Sequence, residues 1–343
     1  MTIEPRGRSS APPKTGPLSE LDVLNLAYVA LVLVVILVGW GRIRHGGLCL
    51  AVYATAGVGL IAFLRVTARA THPFVVLLRA WYSPLLFILH YEFTFHVNQS
   101  LAPLYAPWFG RFVHEGSLVA GQLGHRVYFD PILMAWDQWL FGFQPSVRFA
   151  AAWGTAWIGE LMHFAYFSFY LFIPLLGFTL LFQRRRQAFD DFVFRATFTM
   201  LLCCAIFIPF PIAGPRHYLA PDALRLNGGY VFAWIVRLLF DYCDVPTGGF
   251  PSSHVAVAAS ALISAFVYEK RVFLILAALF VGLCLATIYV AGHYVVDTLG
   301  GLLVAPLSYA LAGPVRDLLG RPLAHLLNGR PHKWPEDGET IGA

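Results

Sequence analysis

The stretch 272–297, VFLILAALFVGLCLATIYVAGHYVVD, decides the fold. Residues 272–289 carry no charged side chain, and a helix needs about 20 mostly apolar residues, rising 1.5 Å each, to cross roughly 30 Å of hydrocarbon. The run therefore reads as a membrane-spanning helix. Just beyond it stand His293 and Asp297. A carboxylate inside a membrane segment costs about 2.5 to 3.5 kcal/mol on insertion scales, so Asp297 needs a partner or a wet cavity.

The rest of the 343-residue chain has the same character, with 58% hydrophobic and 13% charged residues against roughly 25% charged in an average soluble domain. Eight stretches qualify as spans: 21–40, 47–64, 74–95, 153–182, 192–211, 253–268, 272–289 and 293–312. Two are short or polar at one end, which leaves counts of seven and nine open. The expected fold is an all-α, polytopic transmembrane bundle. Residues 1–20 read as a disordered cytoplasmic tail, 21–313 as one membrane domain with a catalytic core over 150–313, and 314–343 as a second cytoplasmic tail. The segment 98–149, aromatic and broken by Pro and Gly, predicts interfacial helices, and the connection 214–250 holds a further apolar run at 230–240.

The net charge of +5 does not imply nucleic acid, because the basic residues sit in short loops and tails between apolar runs. They serve as topology signals instead. Arg184, Arg185 and Arg186, then Lys270 and Arg271, then Arg316, Arg321, Arg330 and Lys333 fall on one side, with the N-terminal tail and with Arg65 and Arg69. By the positive-inside rule that side is cytoplasmic. Arg42 and Arg44 dissent and are outnumbered. The long connections then face outward. Four of the five cysteines lie in apolar segments, which argues against a disulfide framework, and no CxxC spacing suggests a metal.

Two motifs carry chemistry. Gly248-Gly249-Phe250-Pro251-Ser252-Ser253-His254 opens one span, and a helix N-terminus with free N–H groups favours an anion such as phosphate. Ser252 and Ser253 suit both capping and phosphate contact. Gly292-His293-Tyr294-Val295-Val296-Asp297 opens the last span, where an i, i+4 helical spacing lets Asp297 hold the His293 ring. Two spans separate the motifs, so both emerge on one side. Arg216, in Gly214-Pro215-Arg216 at the outer end of another span, is the expected phosphate clamp, with Gly292 beside it.

Phe250 to His254 and His293 to Asp297 resemble the second and third motifs of the type 2 phosphatidic acid phosphatase superfamily, which includes vanadium haloperoxidases. The resemblance implies a six-helix core over roughly the last 170 residues. It also implies roles: His293 as nucleophile forming a phosphohistidine, His254 as general acid, and Asp297 as the group orienting the nucleophile. The usual Ser-Arg pair before the nucleophile is here Ala286 and Thr287, and the Lys-rich first motif is absent. Gly214-Pro215-Arg216, the run 289–297, and Asp137, Gly142 and Pro145 in a D..LFG..P arrangement are similar to the inositol phosphorylceramide synthase branch.

The expected function is thus a metal-independent, cofactor-free lipid phosphotransferase acting on a phospholipid or lipid phosphate at the extracytoplasmic face, among membrane lipids and with no obligate protein partner. A lipid or polyprenyl phosphate phosphatase is the alternative within the class. A transporter using the histidines and Asp297 as a proton relay is the alternative outside it. Glu160 and His163 form an E-x-x-H pair, read as a polar pair or head-group contact in preference to a metal site. For Asp137, Tyr166 and Tyr170 packing is the expected role, with a part in shaping the cavity as the alternative.

Overall fold

Ser19 and Asp22 start the first helix by capping each other: the Ser19 N–H donates to Asp22 Oδ2 (2.7 Å) and the Asp22 N–H to Ser19 Oγ (3.3 Å). The computed structural model describes residues 18–41, 43, 45–115, 127–219, 228–243 and 245–320. Most of both tails lies outside the described residues. The chain runs through α1 (Glu20–Val38), α2 (Gly46–Thr67) and α3 (Pro73–Tyr105), the last extended by a 3-10 stretch, Ala106–Phe112. Two two-residue strands follow, then α4 (Asp130–Phe141), α5 (Pro145–Ala152), α6 (Ala156–Phe167), α7 (Phe169–Phe182) and α8 (Arg186–Phe207). The short α9 (Pro215–Tyr218), α10 (Val231–Cys243), α11 (Ser253–Tyr268), α12 (Lys270–Tyr289) and α13 (Val295–Val315) complete it, with a π turn at Arg316–Gly320.

All eight stretches expected to span are helical, and the fold is the expected all-α membrane bundle. Among the described residues, five helices are long and apolar enough to cross a membrane: α1, α2, α3, α12 and α13. A sixth span arises if α6 and α7, bent by 46° at their junction, are counted together. The other two expected spans fall short for physical reasons. Arg186, Asp190, Asp191 and Arg195 occupy the first half of α8. The 16 residues of α11 rise only about 24 Å at 1.5 Å each.

Helix α11 is nevertheless the centre of the molecule, flanked by α13, α12, α8 and α7. Its buried residues are small, including Ala256, Ala258, Ser260, Ala261 and Ala265, so neighbouring backbones approach closely. At one end of the bundle charges interlock. Asp191 pairs with Arg195 (2.6 Å) and Arg316 (3.6 Å) and accepts from Tyr268 (2.7 Å), while Arg316 also reaches Glu20 (3.5 Å). This end carries the basic turns at Arg184 to Arg186 and at Lys270 and Arg271. The starts of α11 and α13 lie at the other.

The segment 98–149 contains the expected short helices. Helix α4 buries Asp130, Leu133 and Asp137 and exposes Trp136, Trp139 and Leu140, so it lies as a two-sided helix on the bundle end. Asn98, in a glycosylation-like Asn-Gln-Ser triplet, is fully buried, and its amide donates to the Phe207 carbonyl (3.4 Å).

Candidate active site

Three loops are stitched together at the end away from the basic turns. The Ile212 N–H donates to the Thr247 carbonyl (3.3 Å), and the Gly249 N–H donates back to Ile212 (3.0 Å). A Cβ on Gly249 would sit 2.4 Å from Ile212 Cγ2, so no larger residue fits. Gly214 has φ +84, and a Cβ there would lie 2.8 Å from the Gly292 carbonyl. The Arg216 N–H donates to the Ala291 carbonyl (2.8 Å). The loop after α8 is thereby tied to the loops leading into both α11 and α13.

Between them opens a small cavity whose wall includes Arg216, Gly292, His254 and His293. The two imidazole rings are 5.7 Å apart, inclined at 67°. His254 stands in the first turn of α11, with Nε2 3.2 Å from the Tyr166 hydroxyl and its ring against Phe169 at 4.5 Å. Tyr166, for which packing was preferred over a part in shaping the cavity, touches His254 and lines the cavity.

His293 Nδ1 lies 3.4 Å from Asp297 Oδ2. The pairing is the expected one, but its cause is not helical periodicity, because α13 begins at Val295 and His293 precedes it. Two backbone bonds hold the arrangement: the His293 N–H donates to the Thr287 carbonyl (3.0 Å), and the Tyr294 N–H donates to Asp297 Oδ2 (2.8 Å). Asp297 is fully buried, and its Oδ1 has no hydrogen-bond partner among the described residues. With Nδ1 turned to Asp297, Nε2 is the nitrogen directed away from the carboxylate. The Asp297 carbonyl also accepts the Ser252 N–H (3.0 Å), which links the two motifs directly.

Among the described residues lining the cavity, Arg216 is the only arginine or lysine. Its guanidinium lies 4.1 Å above the Phe240 ring and 3.4 Å from Asp241 Oδ1. Ser252 and Ser253 do not line the cavity. Ser252 Oγ caps α11 by accepting the Val255 N–H (3.4 Å), and its own N–H is spent on Asp297. Thr287, in place of the arginine that the resemblance would expect, is fully buried, and its carbonyl accepts the His293 N–H.

Three carboxylates hold backbone from a distance. Asp130 accepts the Ala213 N–H (2.8 Å), the Gly214 N–H (2.9 Å) and the Tyr294 hydroxyl (3.0 Å). Burial pushes its pKa up to about 7, against the lowering effect of those donors. Asp137 accepts the Val295 N–H (3.0 Å) and the Val296 N–H (3.1 Å), and burial raises it too. Glu160 accepts the N–H groups of Tyr230 (2.6 Å), Phe232 (2.8 Å) and Ala233 (3.3 Å) and so caps α10. His163 Nδ1 lies 2.6 Å from the Gly159 carbonyl. No group of three His, Cys, Asp or Glu side chains among the described residues is arranged to hold a metal ion. Sequence reasoning passed over Asp130; the available signal was its place before Pro131 at a helix start, seven residues from Asp137.

A family model described as the PAP2 superfamily matches residues 131–311, more than half of the chain. No curated protein and no solved structure matches it.

Proposed function

The chain belongs to the PAP2 superfamily, a group of phosphatases and phosphotransferases, and from that premise we propose that its cavity transfers a phosphoryl head group between a lipid and an alcohol. The observation that carries the reading is the pair of imidazole rings, 5.7 Å apart, over one cavity that also holds Arg216. His293 Nε2 attacks phosphorus, forming an N–P bond as the P–O bond to the lipid breaks. His254, protonated, gives its proton to the departing oxygen. Asp297 holds Nδ1 and stabilises the charged ring. In the second step an acceptor hydroxyl returns a proton to His254 as its oxygen displaces His293 from phosphorus. Arg216 balances the charge on the non-bridging oxygens throughout. The scheme draws on side chains alone, so turnover should withstand chelators.

The donor we favour carries an inositol-phosphate-like head group, on the likeness of Gly214-Pro215-Arg216 and 289–297 to the inositol phosphorylceramide synthase branch. The cavity is assigned to the extracytoplasmic face, because the basic turns gather at the opposite end of the bundle. The test is to give the purified protein in liposomes a phospholipid labelled in its head-group phosphate, with and without inositol or another alcohol. Label passing to the alcohol is expected. Label released only to water, as phosphorylated head group from a diester or as free phosphate from a monoester, overturns the transfer and leaves a hydrolase.

A further inference from the structure

Asp130 and Asp137 are seven residues apart on α4, two helical turns, and so share one buried face. What they hold is specific. Asp137 takes the first two N–H groups of α13, which lie between His293 and Asp297 in the chain. Asp130 takes the two N–H groups at Ala213 and Gly214 that lead into Arg216, and also the hydroxyl of Tyr294, next to His293.

We propose that this carboxylate pair is the positioning element of the site, Asp137 setting His293 for attack and Asp130 setting Arg216 over the same phosphoryl group. The inference rests on the reading of His293 as nucleophile. Neither aspartate lines the cavity, so both act through the backbone they hold.

A helix start ordinarily leaves its first N–H groups to its own cap, to water or to an anion. In α13 they are taken by Asp137, and the Tyr294 N–H is taken by Asp297. The start of α13 is therefore closed to substrate phosphate and tied down as a mount for the imidazole. A rigid helix also spans both anchors, so α4 adds to the direct bond from the Arg216 N–H to the Ala291 carbonyl (2.8 Å) in fixing the distance from Arg216 to His293. Near-attack geometry is demanding enough that a shift of about 1 Å costs roughly 100-fold in rate.

The experiment compares Asp137→Asn, Asp137→Glu and Asp130→Asn with the parent in detergent or liposomes. It reads the thermal midpoint, the single-turnover rate of phosphohistidine formation, the lipid KM and inhibition by vanadate. Asp137→Asn should slow phosphohistidine formation about 10- to 100-fold with KM within about twofold. Asp137→Glu keeps both acceptor oxygens and the charge but displaces them by a methylene. It should keep the thermal midpoint and not recover the rate. Asp130→Asn should weaken vanadate inhibition and raise KM, about 10-fold each, with a smaller effect on the rate at saturation.

A folded Asp137→Asn or Asp137→Glu protein that labels at the parent rate overturns the proposal, as does a loss seen only in the midpoint. Failure of the parent itself to form phosphohistidine defeats the reading of His293 instead. The pair is then still judged by vanadate affinity in Asp130→Asn, and parent-like affinity overturns its role.

Discussion

The starts of α11 and α13 bear the two histidines, and the N–H groups of their first turns are satisfied differently. Helix α11 is capped from within three residues, by Ser252 Oγ on the Val255 N–H. Helix α13 is held from far away in the chain: Asp137 takes the N–H groups of residues 295 and 296 at separations of 158 and 159 residues. The self-capped start carries the proposed general acid, which needs only to reach a leaving oxygen. The externally held start carries the proposed nucleophile, which must meet phosphorus along one line. The stricter geometric task falls to the helix with the longer-range support.

The largest expected effect breaks the comparison at its centre. His293→Ala should lower turnover by about 10⁴-fold or more and abolish acid-labile protein labelling by a phosphate-labelled lipid. Retained labelling would place the nucleophile elsewhere. His254→Ala should cost about 10² to 10⁴-fold with a lipid alkoxide as leaving group. With an aryl phosphate, whose phenolate leaves without a proton, labelling should return to within about tenfold of the parent. Equal losses on both substrates would deny His254 the acid role.

Arg216→Lys sharpens the contrast from the third loop. It keeps the charge but loses the planar fork, and should weaken vanadate inhibition by about 10-fold, with Arg216→Ala weaker still. Parent-like inhibition in both would make Arg216 an anchor of the Phe240 surface only. The smallest effect is expected at the local cap: Ser252→Ala should cost about 1 kcal/mol of stability, read as a lower thermal midpoint, with turnover per folded molecule within about threefold. A large drop in turnover at an unchanged midpoint would mean that Ser252 meets substrate.

Much of the fold was readable because its signals are local. Apolar runs mark helices wherever lipid is the solvent, and the tally of basic turns agrees with the separation of charged end and cavity end. The pairing of His293 with Asp297 was anticipated for a helical reason, yet the chain around His293 is not helical and the pair is assembled by backbone bonds. The spans at 192–211 and 253–268 looked like their neighbours in hydropathy, but charges at the head of α8 and the shortness of α11 set them apart.

The membrane class, the long helices and the placement of His254, His293 and Arg216 at one end of the bundle were legible from the residues alone. Those follow from composition, spacing and the alternation of spans. What Asp130, Asp137 and Glu160 hold emerges only once the chain is packed. Each carboxylate binds backbone N–H groups, which every residue but proline carries, so their partners leave no mark in the sequence.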